Sequence, residues 1–323
     1  MNAYPSDTSA NPAIVAQSAV RRLPRWVLWA LCLAYVLPGF MGRTPWKAAD
    51  MEAFGFMFNL AQSFGSDSVA WLKPTLLGQT DSGAALLPYW LGAWAIQLAP
   101  KGLPIDTAAQ LPFIALLGLT LAATWYAVYA LARTPAAQPV SFAFGGEAKP
   151  ADYARAIADG GLLALLACLG LARLSHEATP ALAQLSFSAL LFFALANLAR
   201  KRMTSLICAA LAIIGLALSG APALAMILGA GGAIVIALDT GQPQSLRVRK
   251  VDVAWVLIFC LATAATTSGL DLWRWRVASS HLFEIQAMAR LLLWFTWPAW
   301  PLALWTLWSW RYQLKSISAN PHL

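Results

Sequence analysis

The stretch Gly83-Ala-Ala-Leu-Leu-Pro-Tyr-Trp-Leu-Gly-Ala-Trp-Ala-Ile-Gln-Leu-Ala-Pro100 decides how the whole chain is laid out. It is uncharged and, by length, able to cross a hydrocarbon core of about 30 Å as a helix. Whether it crosses sets the sidedness of everything after it. If it crosses, the clusters Arg200-Lys201-Arg202 and Arg247, Arg249, Lys250 face outward. If it stays on the surface, both clusters face the cytoplasm. They are then joined there by Arg21, Arg22, Arg25, Arg133, Lys149, Arg155, Arg311 and Lys315. Cytoplasmic loops carry an excess of Lys and Arg, so the second layout is the expected one.

Composition agrees with a membrane setting. The 323 residues are 59% hydrophobic and only 11% charged, and the mean hydropathy is +0.62. Soluble domains carry about 25% charged residues. Several apolar runs approach about 20 residues, the length of a membrane helix. The net charge of +8 sits between those runs, so it reads as topology signal and lipid-headgroup contact rather than nucleic-acid binding. The 16 Trp suit interfacial belts. Cys32, Cys168, Cys208 and Cys260 each lie inside an apolar run without metal-ligand spacing, and read as small core residues. No metal or other cofactor is evident.

The expected fold is all-α, a polytopic membrane protein with about eight transmembrane helices and two juxtamembrane surface helices in the first outer loop. The spans are expected at 26–41, 109–132, 160–174, 181–198, 204–219, 221–238, 253–269 and 289–310. Residues 1–25 form a basic, unstructured cytoplasmic tail; 26–132 carry the first span, the outer loop and the second span; 133–159 form a cytoplasmic linker; 160–310 complete the bundle; 311–323 are a cytoplasmic tail. Residues 65–82 read as loop. The segment Gly229-Ala-Gly-Gly232 lacks the strand and helix a phosphate loop needs, and reads as a small-residue helix contact. Residues 289–310 hold Trp294, Trp297, Trp300, Trp305, Trp308 and Trp310 with Pro298 and Pro301, which predicts a kink. The same tryptophans read as an interfacial belt or an aromatic wall for a lipid tail or sugar face. The spans contain no central Asp, Glu, Lys or His, which speaks against ion-coupled transport.

The polar interruption is the segment from Arg43 to Trp90. Met51, Phe54, Met57, Leu60, Ala61 and Phe64 recur at spacings of three and four, predicting a surface helix whose other side carries Glu52, Asn59 and Gln62. The string Pro45-Trp-Lys-Ala-Ala-Asp50, then Trp71-Leu-Lys-Pro-Thr-Leu-Leu-Gly78, then Pro88-Tyr-Trp90 resembles the first outer loop of the GT-C membrane glycosyltransferases. The closest look-alikes are the bacterial aminoarabinose transferases and protein mannosyltransferases. That family shows an Asp-Glu pair after its first span, a Pro-x-Leu-x-Gly stretch, then Glu-Lys-Pro-Pro and an aromatic pair. Pro74, Leu76 and Gly78 match the second element, and Tyr89-Trp90 the last. Asp50 matches the first acid, but Met51 stands at the second, with Glu52 one place on. Gly83-Ala84-Ala85-Leu86 stands where the family has Glu-Lys-Pro-Pro. The likeness covers 25–132, and the chain is shorter than most members, so a truncated reading frame or a minimal member is expected.

The resemblance implies sugar transfer from a polyprenyl-phosphate donor to an acceptor at the outer face of a bacterial inner membrane. One carboxylate at the membrane edge then serves as base, and cationic groups steady the departing phosphate. Asp50 and Glu52 are the catalytic candidates. Lys47, Lys73, Asp81, Tyr89, Trp90, His176 and Glu177 are substrate-binding candidates, and Arg43 a further phosphate contact. Arg274, Arg276 and His281 lie in the expected last outer loop, where they could meet lipid phosphate. Some GT-C enzymes use a divalent metal. Each residue has a plainer role. Asp50 before an apolar run is a helix-cap signal. Glu52 suits a solvated face, the lysines headgroup contact, and His176-Glu177 a polar turn. Asp50 and Glu52, two apart, do not share a helix face. The alternative function is a non-catalytic relative that binds lipid-linked sugar or assists assembly.

Overall fold

The computed structural model describes residues 15–63, 68–80, 85–139, 146–238, 246–273 and 282–309. The fold is mostly helical. Helix α1 is Arg25–Phe40, α2 Ala48–Gln62, α3 Ser68–Leu72, α4 Leu87–Leu98 and α5 Ile105–Ala132. Then follow α6 Pro150–Leu166, α7 Leu169–Leu174, α8 Pro180–Asn197, α9 Arg202–Leu218, α10 Pro222–Leu238, α11 Leu246–Gly269, α12 Leu282–Phe295 and α13 Ala299–Ser309. A two-stranded hairpin, β1 Thr75–Leu76 and β2 Gln79–Thr80, stands between α3 and α4.

Three helices, α5, α8 and α11, are long and apolar enough to cross a membrane. Helices α1, α9 and α10 are shorter apolar helices. Helix α5 is the hub, packing against α1, α4, α6 and α8. Two apolar cores flank it. One gathers Val36, Phe40, Met57, Phe113 and Leu117 from α1, α2 and α5. The other gathers Leu191, Ala212, Ile213, Leu216 and Val256 from α8, α9 and α11. Gly229 and Gly232 of α10 lie where an added Cβ would meet Cys260 of α11 and Leu195 of α8. Small residues here let the helices approach, as expected of that motif.

Several sequence expectations change. Of the surface helix expected at 83–100 only the bounds change: it is the 12-residue α4, about 18 Å long and too short to span. Pro88 sets its first turn, and Ala99 before Pro100 is extended, which stops it. Residues 68–80 hold a short helix and a hairpin rather than loop alone. Leu77 (φ 52°) and Gly78 (φ 78°) form its two-residue turn, the left-handed pair that matches strand twist. Helix α6 begins at Pro150, inside the stretch read as a linker, and the chain breaks at Ala167 and Cys168 before α7. Gly161, read as the region where a span begins, sits mid-helix against Val128 of α5. The expected single span at 289–310 is two helices, parted at Thr296–Pro298 where α12 ends. Trp310 lies outside the described residues, as do Arg274, Arg276 and His281.

Part of the tail expected to be unstructured is docked. Gln17 N–H donates to the Gly146 carbonyl at 3.0 Å, and Ala148 N–H to the Val15 carbonyl at 3.0 Å. Arg22 pairs with Asp152. Asp159, buried in α6, accepts Leu23 N–H at 3.1 Å and Trp125 Nε1–H at 2.8 Å. Carboxylates of α6 thereby hold 15–24 beside the start of α1.

Candidate functional site

Three chain segments meet just beyond the C-terminal end of α1. The first is 39–50, running from that end into α2. The second is the start of α5. The third is the turn 175–179 between α7 and α8. Gly42 (φ 69°) reverses the first segment in a conformation that glycine adopts without strain. Gln110 of α5 donates its side-chain N–H to the Arg43 carbonyl at 2.8 Å, tying that segment to the hub helix.

The turn 175–179 locks onto the same place. His176 Nε2 lies 2.8 Å from the Tyr35 carbonyl, so this nitrogen carries the proton and donates. Nδ1 faces the Ser175 hydroxyl at 3.3 Å. The imidazole packs between Tyr35 and Phe40, with centroids at 5.0 and 5.6 Å. A Cβ on Gly39 would run into its ring, so that position needs glycine. His176 is thus an anchor for the turn, with Nε2 committed to backbone.

Asp50 is in the first turn of α2, and the helix N-cap is Lys47, which makes no side-chain cap bond. The cap reading of Asp50 therefore does not hold. Its Oδ1 accepts Ala178 N–H at 3.0 Å instead, reaching across to the third segment. Burial lifts the Asp50 carboxyl above the ordinary carboxylate range. The Ala178 N–H opposes that rise, the nearby Glu177 charge adds to it, and Arg43 and the Trp46 N–H work against it. The Lys47 ammonium pairs with the Glu177 carboxylate, which is itself buried. Trp46 offers its ring to two cations, with Arg43 at 4.8 Å and Lys47 at 5.1 Å from the centroid. Arg43 Nη1 donates to the Gly39 carbonyl at 3.4 Å. Its Nη2 is buried with no hydrogen-bond partner among the described residues.

The predicted site residues therefore divide. Asp50, Lys47, His176 and Glu177 come together, with Arg43 beside them. Glu52 faces outward from α2 and is exposed. The predicted apolar stripe of α2 holds at Met57, Leu60 and Ala61, with Glu52, Asn59 and Gln62 exposed as expected; Met51 is exposed, Asp50 and Ala53 face inward, and Phe64 lies outside the described residues. Lys73 stands exposed after α3. Tyr89 is buried and stacks on Phe56 at 5.0 Å. Trp90 donates Nε1–H to the Trp71 carbonyl at 2.7 Å. Both aromatic residues fasten α4 to its neighbours. Asp81 lies outside the described residues. The stretch Pro74-x-Leu76-x-Gly78 forms the hairpin turn, whose Leu76 covers Gly55 of α2.

Sequence reasoning did not find the contributions of Gly39, Gln110, Ser175 and the Ala178 N–H. Only the polar triple Ser175-His176-Glu177 after an apolar run signalled that end of the molecule. Among the described residues no three His, Cys, Asp or Glu side chains gather into a metal-ligand group. The chain matches no family model, no curated protein and no solved structure. The chemical content of the site is a desolvated carboxylate, a buried guanidinium nitrogen without a partner, and an ion pair whose lysine reaches the same tryptophan.

Proposed function

We propose that this chain is a glycosyltransferase-like membrane protein that transfers a sugar from a polyprenyl-phosphate donor to an acceptor at the outer face of a bacterial inner membrane. The observation that carries the reading is Asp50, a carboxyl raised by burial, with the unpartnered Nη2 of Arg43 nearby. In this role Asp50 takes the proton of the acceptor hydroxyl. The acceptor oxygen bonds to the anomeric carbon as the bond from that carbon to the phosphate oxygen breaks. The electron pair leaves on the phosphate, and Arg43 and Lys47 hold its negative charge. Glu177 keeps Lys47 in reach before the phosphate arrives.

The layout that goes with this function has eight membrane crossings: α1, α5, α6 with α7, α8, α9, α10, α11, and α12 with α13. The N-terminus is cytoplasmic. What supports it is the pairing of ends. Contacts among α1, α2, α5 and the 175–179 turn gather at one end, and the basic clusters around Arg202 and Lys250 belong to the other. The 17-residue helices α9 and α10 are about 25 Å long, near one core thickness once flanking residues are added.

A second reading has its own support. Asp50 is only 3% exposed and holds Ala178 N–H, and Lys47 is neutralised by Glu177. Those features suit a structural clasp in a non-catalytic protein that binds lipid-linked sugar or assists assembly. The deciding experiment is transfer from labelled polyprenyl-phosphate sugars in membranes carrying the chain, beside Asp50→Asn. Loss of transfer by roughly 10²–10⁴-fold at normal expression establishes the base. No transfer by either protein, both correctly inserted, establishes the clasp.

A further inference from the structure

At the end of the molecule opposite Asp50, α9 and α11 leave an apolar groove of about 390 Å³ between them. Leu206, Ile207 and Ala210 of α9 and Trp255 and Phe259 of α11 line it, with Arg202 among its walls. From Arg202 to Leu211, which is also in the wall, the helix rises about 14 Å. That is the depth of one leaflet, half of a hydrocarbon core of about 30 Å. The groove thus has the length of a single acyl chain within one leaflet and a guanidinium where the headgroup sits.

Among the described residues, exposed charge at that rim is one-sided. Arg200, Lys201, Arg247 and Lys250 are exposed around the starts of α9 and α11. Among the described residues the nearest acid is Asp252, which is fully buried, and Arg202 Nε donates to its Oδ1 at 2.6 Å. That bond engages one edge of the guanidinium and fixes it over the groove. Removing Arg202 alone would leave a buried carboxylate without its counter-charge, so the pair is a positioned fixture rather than a loose surface cation.

We propose that this groove is a binding site for an anionic phospholipid, its phosphate on Arg202 and one acyl chain along Leu206, Ala210 and Phe259. Charge complementarity selects the occupant. Basic pockets between membrane helices hold anionic headgroups, and zwitterionic lipid lacks the net charge to answer this rim. The site is separate from the Asp50 group and stands whether or not that group is catalytic.

The test is native mass spectrometry of the full chain, delipidated and then offered phosphatidylglycerol or phosphatidylcholine in equal amounts. The expected result is one retained phosphatidylglycerol, preferred about fivefold, the scale of one basic contact near an anionic headgroup. Ala210→Phe fills the groove without changing any charge and should abolish the retained lipid. The paired change Arg202→Gln with Asp252→Asn should erase the preference while leaving the groove open. Arg247→Gln with Lys250→Gln, at the rim but outside the groove walls, should weaken the preference while one lipid stays bound. Equal retention of the two lipids by the unaltered chain overturns the proposal. So does full phosphatidylglycerol retention by a folded Ala210→Phe protein, which would make the attraction a surface effect of the basic rim.

Discussion

Asp50 and Asp159 are equally buried, each 3% exposed, and lie near opposite ends of α1. They do different work. Asp159 has a donor on each oxygen, Trp125 Nε1–H on Oδ1 and Leu23 N–H on Oδ2. Those two bonds join α5, α6 and the N-terminal segment, and they give each oxygen a partner. Asp50 holds Ala178 N–H but sits in a neighbourhood where Glu177 pushes its carboxyl up and Arg43 pulls it down. A buried carboxylate whose two oxygens each hold a donor from a different segment is a fastener. One whose ionisation is contested by its neighbours, beside a guanidinium nitrogen with no partner, is where a proton and an anion can be handled. Burial and two N–H donors are common to both; the charges of Glu177 and Arg43 beside Asp50 separate them.

The sharpest break of this comparison is Asp159→Ala. It strands two part-buried N–H groups, each worth about 1 kcal/mol when unsatisfied, beside the packing lost, and should cost about 2–3 kcal/mol in thermal unfolding in detergent. Trypsin should then cut faster at Arg21 and Arg22, because the segment that Asp159 holds is released. A loss below about 1 kcal/mol would mean that Asp159 is no fastener.

Lys47→Met comes next. It leaves Glu177 buried without its cation and should cost about 2 kcal/mol, whereas Lys47→Met with Glu177→Met should cost less than the single change. If the double variant is the less stable of the two, the pair contributes more than it costs to bury.

Asp50→Asn should change stability by about 1 kcal/mol or less at neutral pH, since the amide oxygen still accepts Ala178 N–H. Its signature is in the pH dependence. Asp50's folded carboxyl is raised above the ordinary value of 3.8. Between that value and the raised one, the folded state binds the proton more tightly than the unfolded state. Stability therefore falls as pH rises through this window and is regained as pH is lowered back through it. Unfolding followed across pH should show that slope in the native chain and a flatter one in Asp50→Asn. The opposite slope at Asp50 would mean that the N–H groups and Arg43 outweigh burial. Smallest of all, Glu52→Ala and Lys73→Ala should each stay within about 0.5 kcal/mol and leave any transfer activity unchanged, because both side chains are exposed away from packed neighbours.

Much of the outer-end group was legible as chemistry and not as geometry. Asp50, Lys47 and His176-Glu177 stood out because charge and imidazole are rare in so apolar a chain. Nothing in the spacing showed that 128 residues after Asp50 the Ala178 N–H would meet its carboxylate. The stripe on α2 keeps Met57, Leu60 and Ala61 inward as expected, but at its start Asp50 rather than Met51 faces in, where the polar 175–179 turn offers a donor. Tyr89 and Trp90 are ligand-contact candidates only through the resemblance to the family's aromatic pair. Phe56 and the Trp71 carbonyl claim them for packing instead.

The sequence by itself determined that the chain is rich in apolar helices, that Pro88 and Pro100 confine the helix within 83–100, and that α10 is notched by glycines for close neighbours. Those are local properties: hydrophobic run length, proline at a helix start or after its end, and missing side chains act within a few residues. The tertiary structure alone decided which carboxylates are fasteners and which is contested, that 15–24 docks on α6, and that α9 and α11 part to leave a groove. Those outcomes depend on which donor, cation or void lies opposite a given side chain. That is set by long-range packing between helices, where sequence separation carries no information about distance.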